Sequence, residues 1–230
     1  MASSGSFAEH AVVREDKLAP LPAGLTFAQA ATVPISAGTA LQALTDAGRL
    51  GAGQRVLVIG ASGGVGSYAV QLAVALGGEV TGVCSAAKAD LVRSLGATHV
   101  LDYARDDFAD GSQRYDLVLD IAGNPSVRRL RRALTPTGTA VIVGGEERVG
   151  LTGGMHRQLR ATLLSPFVRQ RLTMCMSKER ASDLARLTPL LESGQVVPSV
   201  ERTYPLDQAP EAMAHLISGA VRGKLAITVA

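Results

Sequence analysis

Residues 56–70 read Val56-Leu57-Val58-Ile59-Gly60-Ala61-Ser62-Gly63-Gly64-Val65-Gly66-Ser67-Tyr68-Ala69-Val70. Four aliphatic residues bounded by a turn signal predict a buried strand, and Ser67 to Leu76 predicts a helix stopped by Gly77 and Gly78. A glycine-rich turn in that setting brings backbone close to a diphosphate, which sits on the outward-pointing N–H groups of the helix N-terminus. Gly63 and Gly64 then make the close approach, Gly66 lets the helix pack on the strand, and Ala61, Ser62 and Val65 complete the cradle.

The same letters admit other chemistries. Gly60, Ser62 and Gly64 also spell a Gly-x-Ser-x-Gly elbow, which would make Ser62 a hydrolase nucleophile with Asp183 or Asp207 and His215 in suitable chain order. Two observations weigh against it: no His-Gly-Gly oxyanion loop lies upstream, and the elbow strand is the first of its series. A short-chain dehydrogenase needs a Tyr-x-x-x-Lys pair. Four residues beyond Tyr68, Tyr103, Tyr115 and Tyr204 stand Leu72, Asp107, Leu119 and Gln208 instead. No Lys-Ser/Thr follows the glycines, so a phosphate loop of the nucleoside-triphosphatase kind is excluded.

Downstream of the turn, short apolar runs alternate with helical patterns. Strands are expected at Val80–Cys84, His99–Leu101, Leu117–Leu119, Thr139–Val143 and Leu172–Met176. Helices are expected at Lys88–Leu95 and over an arginine-rich stretch opened by Pro125. This alternation predicts an α/β fold with a doubly wound parallel sheet. Upstream, Phe7–Val13 reads as a strand, a helix opens near Thr26 and is broken by Pro34, and Thr39–Leu50 reads as a second helix. In the tail, Arg180–Leu191 and Pro210–Ile217 read as helices, Val196-Val197 as a short strand and Leu225–Val229 as a final strand.

The second strand bears on which dinucleotide is held. NAD sites place an acid about 20 residues past the glycines to hold the ribose 2′-hydroxyl. Here the strand ends Cys84-Ser85-Ala86-Ala87-Lys88, with no acid at its tip. Ser85 and Lys88 offer a hydroxyl and a cation, which suit the extra phosphate of NADPH.

Composition narrows the alternatives. The chain has 230 residues, 47% apolar, 19% charged and 3% aromatic, with a net charge of +3. That aliphatic content excludes disorder, and no apolar stretch is long enough to span a membrane. Arg128, Arg129, Arg131 and Arg132 form the densest basic patch; with Val127, Leu130 and Leu134 at helical spacing it reads as a solvated helix face. Few aromatics are available to stack bases, so no nucleic-acid partner is expected. Cys84 and Cys175 are too few for a disulfide framework, and the start lacks the features of a signal peptide. The expectation is a soluble, cytoplasmic protein without membrane contact.

An ordered series of stretches resembles the medium-chain dehydrogenase/reductase superfamily, in its zinc-independent quinone oxidoreductase (zeta-crystallin-like) branch. The series runs Gly5-Ser6-Phe7-Ala8-Glu9, Ala31-Thr32-Val33-Pro34 with Thr39-Ala40, then the glycine turn, where Ala61 stands for the first glycine of the commoner motif. It continues through Leu95-Gly96-Ala97, Asp102-Tyr103, Tyr115-Asp116 with Asp120, Tyr204-Pro205-Leu206 and Gly223-Lys224. The resemblance implies a Rossmann core and an NADPH-dependent reductase of quinones or α,β-unsaturated carbonyls. It implies that Ser85, Lys88 and Tyr103 surround the 2′-phosphate. Thr39, Ala122, Gly123, Val143 and Gly144 would line the rest of the cofactor.

It further implies a homodimer through the strand at Leu172–Met176. Metal is not implied: Ser36-Ala37-Gly38, with no cysteine, stands near the position where zinc enzymes of the family carry their second ligand, and His10, His99, His156 and His215 are isolated. Family members also carry an N-terminal GroES-like catalytic domain. The resemblance therefore divides the chain into a remnant of that domain at 1–35, the dinucleotide-binding domain at 36–176, and a segment at 177–230 returning to the remnant. A partner chain supplying the absent domain, or an NADPH-binding module without catalysis of its own, are the corresponding alternatives.

Overall fold

The computed structural model describes residues 7–122, 125–143 and 168–229. Six strands form one sheet in which every pairing is parallel: β1 (Arg55–Ile59), β2 (Glu79–Cys84), β3 (His99–Asp102), β4 (Tyr115–Asp120), β5 (Leu134–Ile142) and β6 (Arg171–Met174). Their spatial order is β3-β2-β1-β4-β5-β6. The chain therefore winds outward from β1 on one side and returns to β4 on the other, leaving a switch point between β1 and β4. The expected α/β class, with a doubly wound sheet, is what the chain forms.

Alternation along β1 divides two cores. Val56 and Val58 pack with Val33, Ala37, Leu41, Leu44, Tyr68, Leu72 and Leu187 on one face. Leu57 and Ile59 meet Phe108, Tyr115, Leu130 and Leu134 on the other. Successive strand residues point to opposite faces, so a sheet covered on both sides needs the unbroken apolar run seen at 56–59. The first face is covered by α2 (Val33–Gln42), α3 (Gly64–Ala75) and α6 (Ala181–Glu192), and α4 (Ala89–Ser94) adds Val92 to it. By contrast, α1 (Phe27–Ala31) buries no residue and lies against α2 and the tail strands Val200–Pro205 and Lys224–Thr228. The second is covered by α5 (Val127–Ala133).

Several upstream expectations are corrected. No strand forms over 7–13, where Phe7 and Val12 are exposed. Thr26 caps α1 through a reciprocal box with Gln29. Pro34 does not end a helix but sits in the first turn of α2, where its missing N–H costs nothing. A wider π-type turn, Ala43–Ala47, continues α2. Pro125 precedes α5 rather than opening it, because Ser126 is the cap and accepts from the Arg129 N–H. Arg129 pairs with Asp107 at 2.8 Å and stacks on Phe108, so this part of the basic helix face is tied down.

The tail also differs. Val196-Val197 is not a strand; Val196 is buried and its N–H bonds to Leu190. The chain instead forms β7 (Val200–Pro205), which the sequence pattern did not signal, then α7 (Ala209–Ile217) and β8 (Lys224–Thr228). β7 and β8 make a separate two-stranded parallel sheet. The final strand thus pairs with β7. Buried Gln42 anchors α6 and the segment before it to α2: its amide nitrogen donates to Asp183 in the first turn of α6 at 2.7 Å and to the Lys178 carbonyl, and its oxygen accepts from the Lys178 N–H.

Tyr68, fully buried on α3, shares a 2.8 Å hydrogen bond with the Thr32 hydroxyl. Burial pushes its phenol from 10.0 up to about 12. Between those values the unfolded chain releases the proton while the folded chain keeps it. The stability carried by this group is full below about pH 10 and is lost as pH rises through about 12. Tyr68→Phe is expected to cost about 1 kcal/mol at neutral pH. It is also expected to decline less steeply than the parent above pH 10 in urea titrations; equal alkaline slopes would remove Tyr68 as the cause.

Candidate dinucleotide site

Every described candidate cofactor residue lies at or near the carboxyl ends of the parallel strands, apart from Thr39 on α2. The Gly60 and Ala61 N–H groups both donate to the Val83 carbonyl at 3.0 Å, tying the glycine turn to β2. Gly60 has a positive φ of +89° and abuts Ala122, whose N–H donates to the Ile59 carbonyl across the switch point. Gly63 is the N-cap of α3 without a capping side chain, so Gly64, Val65 and Gly66 form a first turn whose N–H groups have no intrahelical acceptor. Gly66 is where α3 rests on the turn: a methyl group there would overlap the Gly60 carbonyl oxygen and stand 2.8 Å from its carbon. A strand, a tight turn and an uncapped helix pressed onto that turn form the cradle that a diphosphate requires.

The other expected residues fall around this turn. Ser62 is buried, and its carbonyl accepts from the Gly223 N–H at 2.9 Å. Thr39 is buried on α2. Ser85 follows β2 without capping the next turn. Tyr103 follows β3, its N–H bonded to the Cys84 carbonyl and its side chain exposed. Val143 follows β5 and donates to the Asp120 carbonyl. Gly123 and Gly144 lie outside the described residues. Lys88 is more occupied than its sequence position suggests: Nζ donates to the Gly219 carbonyl at 2.7 Å and to the Val221 carbonyl at 2.8 Å. An ammonium has three donors, so one remains.

Sequence reasoning missed three residues that the fold brings here. Lys224 donates to Ser36 at 3.0 Å, and its side chain lies against Gly64. Arg222 reaches back to Asp90 at 2.5 Å and to the Ala87 carbonyl at 3.1 Å, beside the turn that carries Lys88. The Gly223-Lys224 pair was visible as a motif, but nothing local assigns it to the glycine turn.

The elbow reading does not assemble. His215 bonds Tyr204 through Nδ1 at 2.9 Å and has Glu201 3.7 Å from Nε2, while Asp183 serves Gln42 and Arg186. Asp207 lies in a short turn before α7. The contacts of His215 and Asp183 hold tail segments in place, and neither is with Ser62. Among the described residues no three or more His, Cys, Asp or Glu side chains converge.

Comparison with known proteins agrees with this geometry. The family model described as zinc-binding dehydrogenase matches residues 95–227. The mitochondrial NAD(P)H oxidoreductase RTN4IP1 of Bos taurus is 32% identical over 98% of this chain and 61% of its own length. The chloroplastic NADPH-dependent alkenal/one oxidoreductase of Arabidopsis thaliana is 32% identical over 97% of this chain and 53% of its own. Among solved structures, the quinone oxidoreductase from Coxiella burnetii superposes with a TM-score of 0.78 at 29% identity, over 90% of this chain and 62% of that one. The chain thus spans between half and about three fifths of the length of these relatives. With a parallel sheet in dinucleotide-binding order, an uncapped glycine turn at its switch point and a family match over more than half its residues, the chain belongs to the medium-chain dehydrogenase/reductase superfamily, in its quinone-oxidoreductase-like branch.

Proposed function

We propose that this chain binds NADPH and forms part or all of a reductase acting on quinones or α,β-unsaturated carbonyls. The observation that carries the reading is the tip of β2: the strand ends at Cys84 and is followed by Ser85 and Lys88, with no carboxylate to hold a free 2′-hydroxyl. The first turn of α3 would hold the diphosphate, and Ser85, Tyr103 and the third donor of Lys88 would meet the 2′-phosphate. Thr39, Ala122 and Val143, with Gly123 and Gly144, would flank the nicotinamide half. The bound nicotinamide supplies a hydride; the chain's contribution is to bind it, orient it and exclude water from it. The activity is zinc-independent in this reading, which rests on Ser36-Ala37-Gly38 standing, with no cysteine, near the position where zinc enzymes of the family carry their second ligand.

A second reading is an NADPH-binding module without catalysis of its own, working with a partner chain or with a copy that docks through the outermost strand β6. The free thiols of Cys84 and Cys175 suit a reducing compartment such as the cytoplasm.

Fluorescence titration with NADPH and NADH, with molecular mass measured on the same sample and turnover followed on a quinone and enone panel, tests these readings together. Saturable NADPH binding with turnover supports the reductase, and binding without turnover supports the module. Absence of binding to either nucleotide overturns both. Lys88→Ala is expected to weaken NADPH roughly tenfold while leaving NADH nearly unchanged, through loss of one charge-assisted hydrogen bond. An equal loss for the two nucleotides would remove Lys88 from the 2′-phosphate.

A further inference from the structure

We propose that the amino edge of the main sheet carries a second anion site, a cleft of arginines that takes a compact, soluble compound bearing several phosphates. It stands apart from the dinucleotide reading, at the opposite end of the strands from the glycine turn.

Three segments build the cleft. Arg114 precedes β4, Arg128, Arg131 and Arg132 lie on α5, and Arg169 and Gln170 precede β6. β4, β5 and β6 run parallel, so these residues share the amino edge, while the cofactor candidates gather at the carboxyl edge. β4 alone, six residues long, sets the two edges about 20 Å apart at about 3.3 Å per residue. The cleft measures about 580 Å³, within the range of small-molecule sites.

Among the described residues, five guanidiniums line the cleft and no carboxylate does. Residues 128, 131 and 132 are three and four positions apart, so a single turn of α5 sets three charges on one face, with Cβ atoms about 5–6 Å apart. The carboxylates that feel Arg132, Asp107 and Asp110, serve Arg129 and Ser112 instead. Basic residues in a last turn ordinarily serve the helix's free carbonyls, but here those are already taken. Arg114 donates to the Arg132 and Leu134 carbonyls at 3.2 and 3.1 Å, and Gln170 Nε2 to those of Arg131 and Thr135 at 2.9 and 3.2 Å. Gln170 Oε1 accepts from Arg131 Nε at 3.1 Å, which fixes that guanidinium in place. Arg128, Arg132 and Arg169 are exposed and make no side-chain hydrogen bond or ion pair among the described residues. Like charges this close repel one another, and phosphate offsets them best because a planar guanidinium presents two N–H groups to two of its oxygens. Charges crowded into one helical turn match phosphates on one small molecule, not acidic side chains spread along a peptide. No aromatic side chain lines the cleft to stack a base, and Val168 and Pro136 alone offer apolar surface, too little to enter a bilayer.

The probe is inorganic tripolyphosphate, titrated by calorimetry at physiological ionic strength. It is expected to bind with unit stoichiometry, and roughly tenfold or more weakly to a variant carrying Arg128→Gln, Arg132→Gln and Arg169→Gln together. The corresponding lysine variant keeps the charge but not the fork, and is expected to recover only part of the loss. NADPH affinity is expected to match the parent's in both. The glutamine variant is expected to melt no lower than the parent, since it removes like charges that face one another. Should it unfold, Arg169→Gln alone, outside every helix and strand, reads the same loss at smaller size. Equal tripolyphosphate binding by parent and variants, or no binding by the parent, would overturn the proposal. Tighter binding of a glutamate-rich peptide, of single-stranded RNA, or of phosphatidylcholine vesicles carrying a phosphatidylinositol bisphosphate would also overturn it, making the cleft a surface for a macromolecule or a bilayer. A loss of NADPH affinity in step with that of tripolyphosphate would sink it too, because the two sites would then be one.

Discussion

Gly66→Ala is expected to abolish dinucleotide binding and to lower the midpoint of thermal unfolding by roughly 5–10 °C. The added methyl would overlap the Gly60 carbonyl oxygen and lie 2.8 Å and 2.9 Å from the Gly60 and Ala61 carbonyl carbons. All three are backbone atoms of the turn, which cannot swing aside as a flexible side chain can. Those residues are pinned in turn, since the Gly60 and Ala61 N–H groups share the Val83 carbonyl. Relief requires α3 to lift from β1, and overpacking of this kind costs about 1–3 kcal/mol, occasionally more. For a chain of this size each kcal/mol moves the midpoint by about 2–4 °C. The binding loss follows from the same displacement, because the first-turn N–H groups then miss the diphosphate. Gly63→Ala is the control: its methyl would meet the Gly60 oxygen at 3.5 Å, an ordinary contact, so the fold is expected to tolerate it. Thermal unfolding by circular dichroism beside an NADPH titration checks both. A Gly66→Ala variant that melts with the parent would show that the helix does not need this approach.

How much of this was legible in the sequence depends on how local each determinant is. The turn at 60–66 could be read because its strand, glycines and helix are contiguous, and because a strand buried on both faces must be apolar throughout. β7 could not: Val200-Glu201-Arg202-Thr203-Tyr204-Pro205 buries Tyr204 but leaves Glu201 to Thr203 exposed, and its identity as a strand comes from pairing with β8. The converse error occurred at 7–13, where apolar residues suggested a strand that has no pairing partner among the described residues. Pro34 was misjudged because proline is a breaker inside a helix and a good opener in its first turn, and only the position of the helix start decides. In the site, Lys88 was visible as a cation, but the carbonyls of Gly219 and Val221 that it also serves stand more than 130 residues away. Lys224 and Ser36 are 188 residues apart and meet only because the tail returns to the glycine turn.

Gly223→Ala is expected to weaken dinucleotide binding and to destabilise the fold as well. Gly223 sits at a φ of +85°, a region that costs an alanine roughly 1–2 kcal/mol. Its methyl would also overlap the Ser199 carbonyl oxygen and stand 2.9 Å from Ser199 Cβ. That oxygen accepts the Lys224 N–H, and the Gly223 N–H holds the Ser62 carbonyl. Pushing Gly223 away therefore strains two bonds at once. One places the lysine beside Gly64; the other steadies the glycine turn from the side opposite β2. With strain and clash together, a fall of roughly 5–10 °C in the melting midpoint is expected. Gly219 separates the two causes. It also has a positive φ, +70°, but no atom stands within 4 Å of where its Cβ would be. Gly219→Ala then carries the conformational cost without the clash, and is expected to melt higher than Gly223→Ala and to retain more NADPH affinity. Equal losses from the two glycines would mean that backbone conformation alone matters, and that contact between the tail and Ser199 does not set the position of the glycine turn.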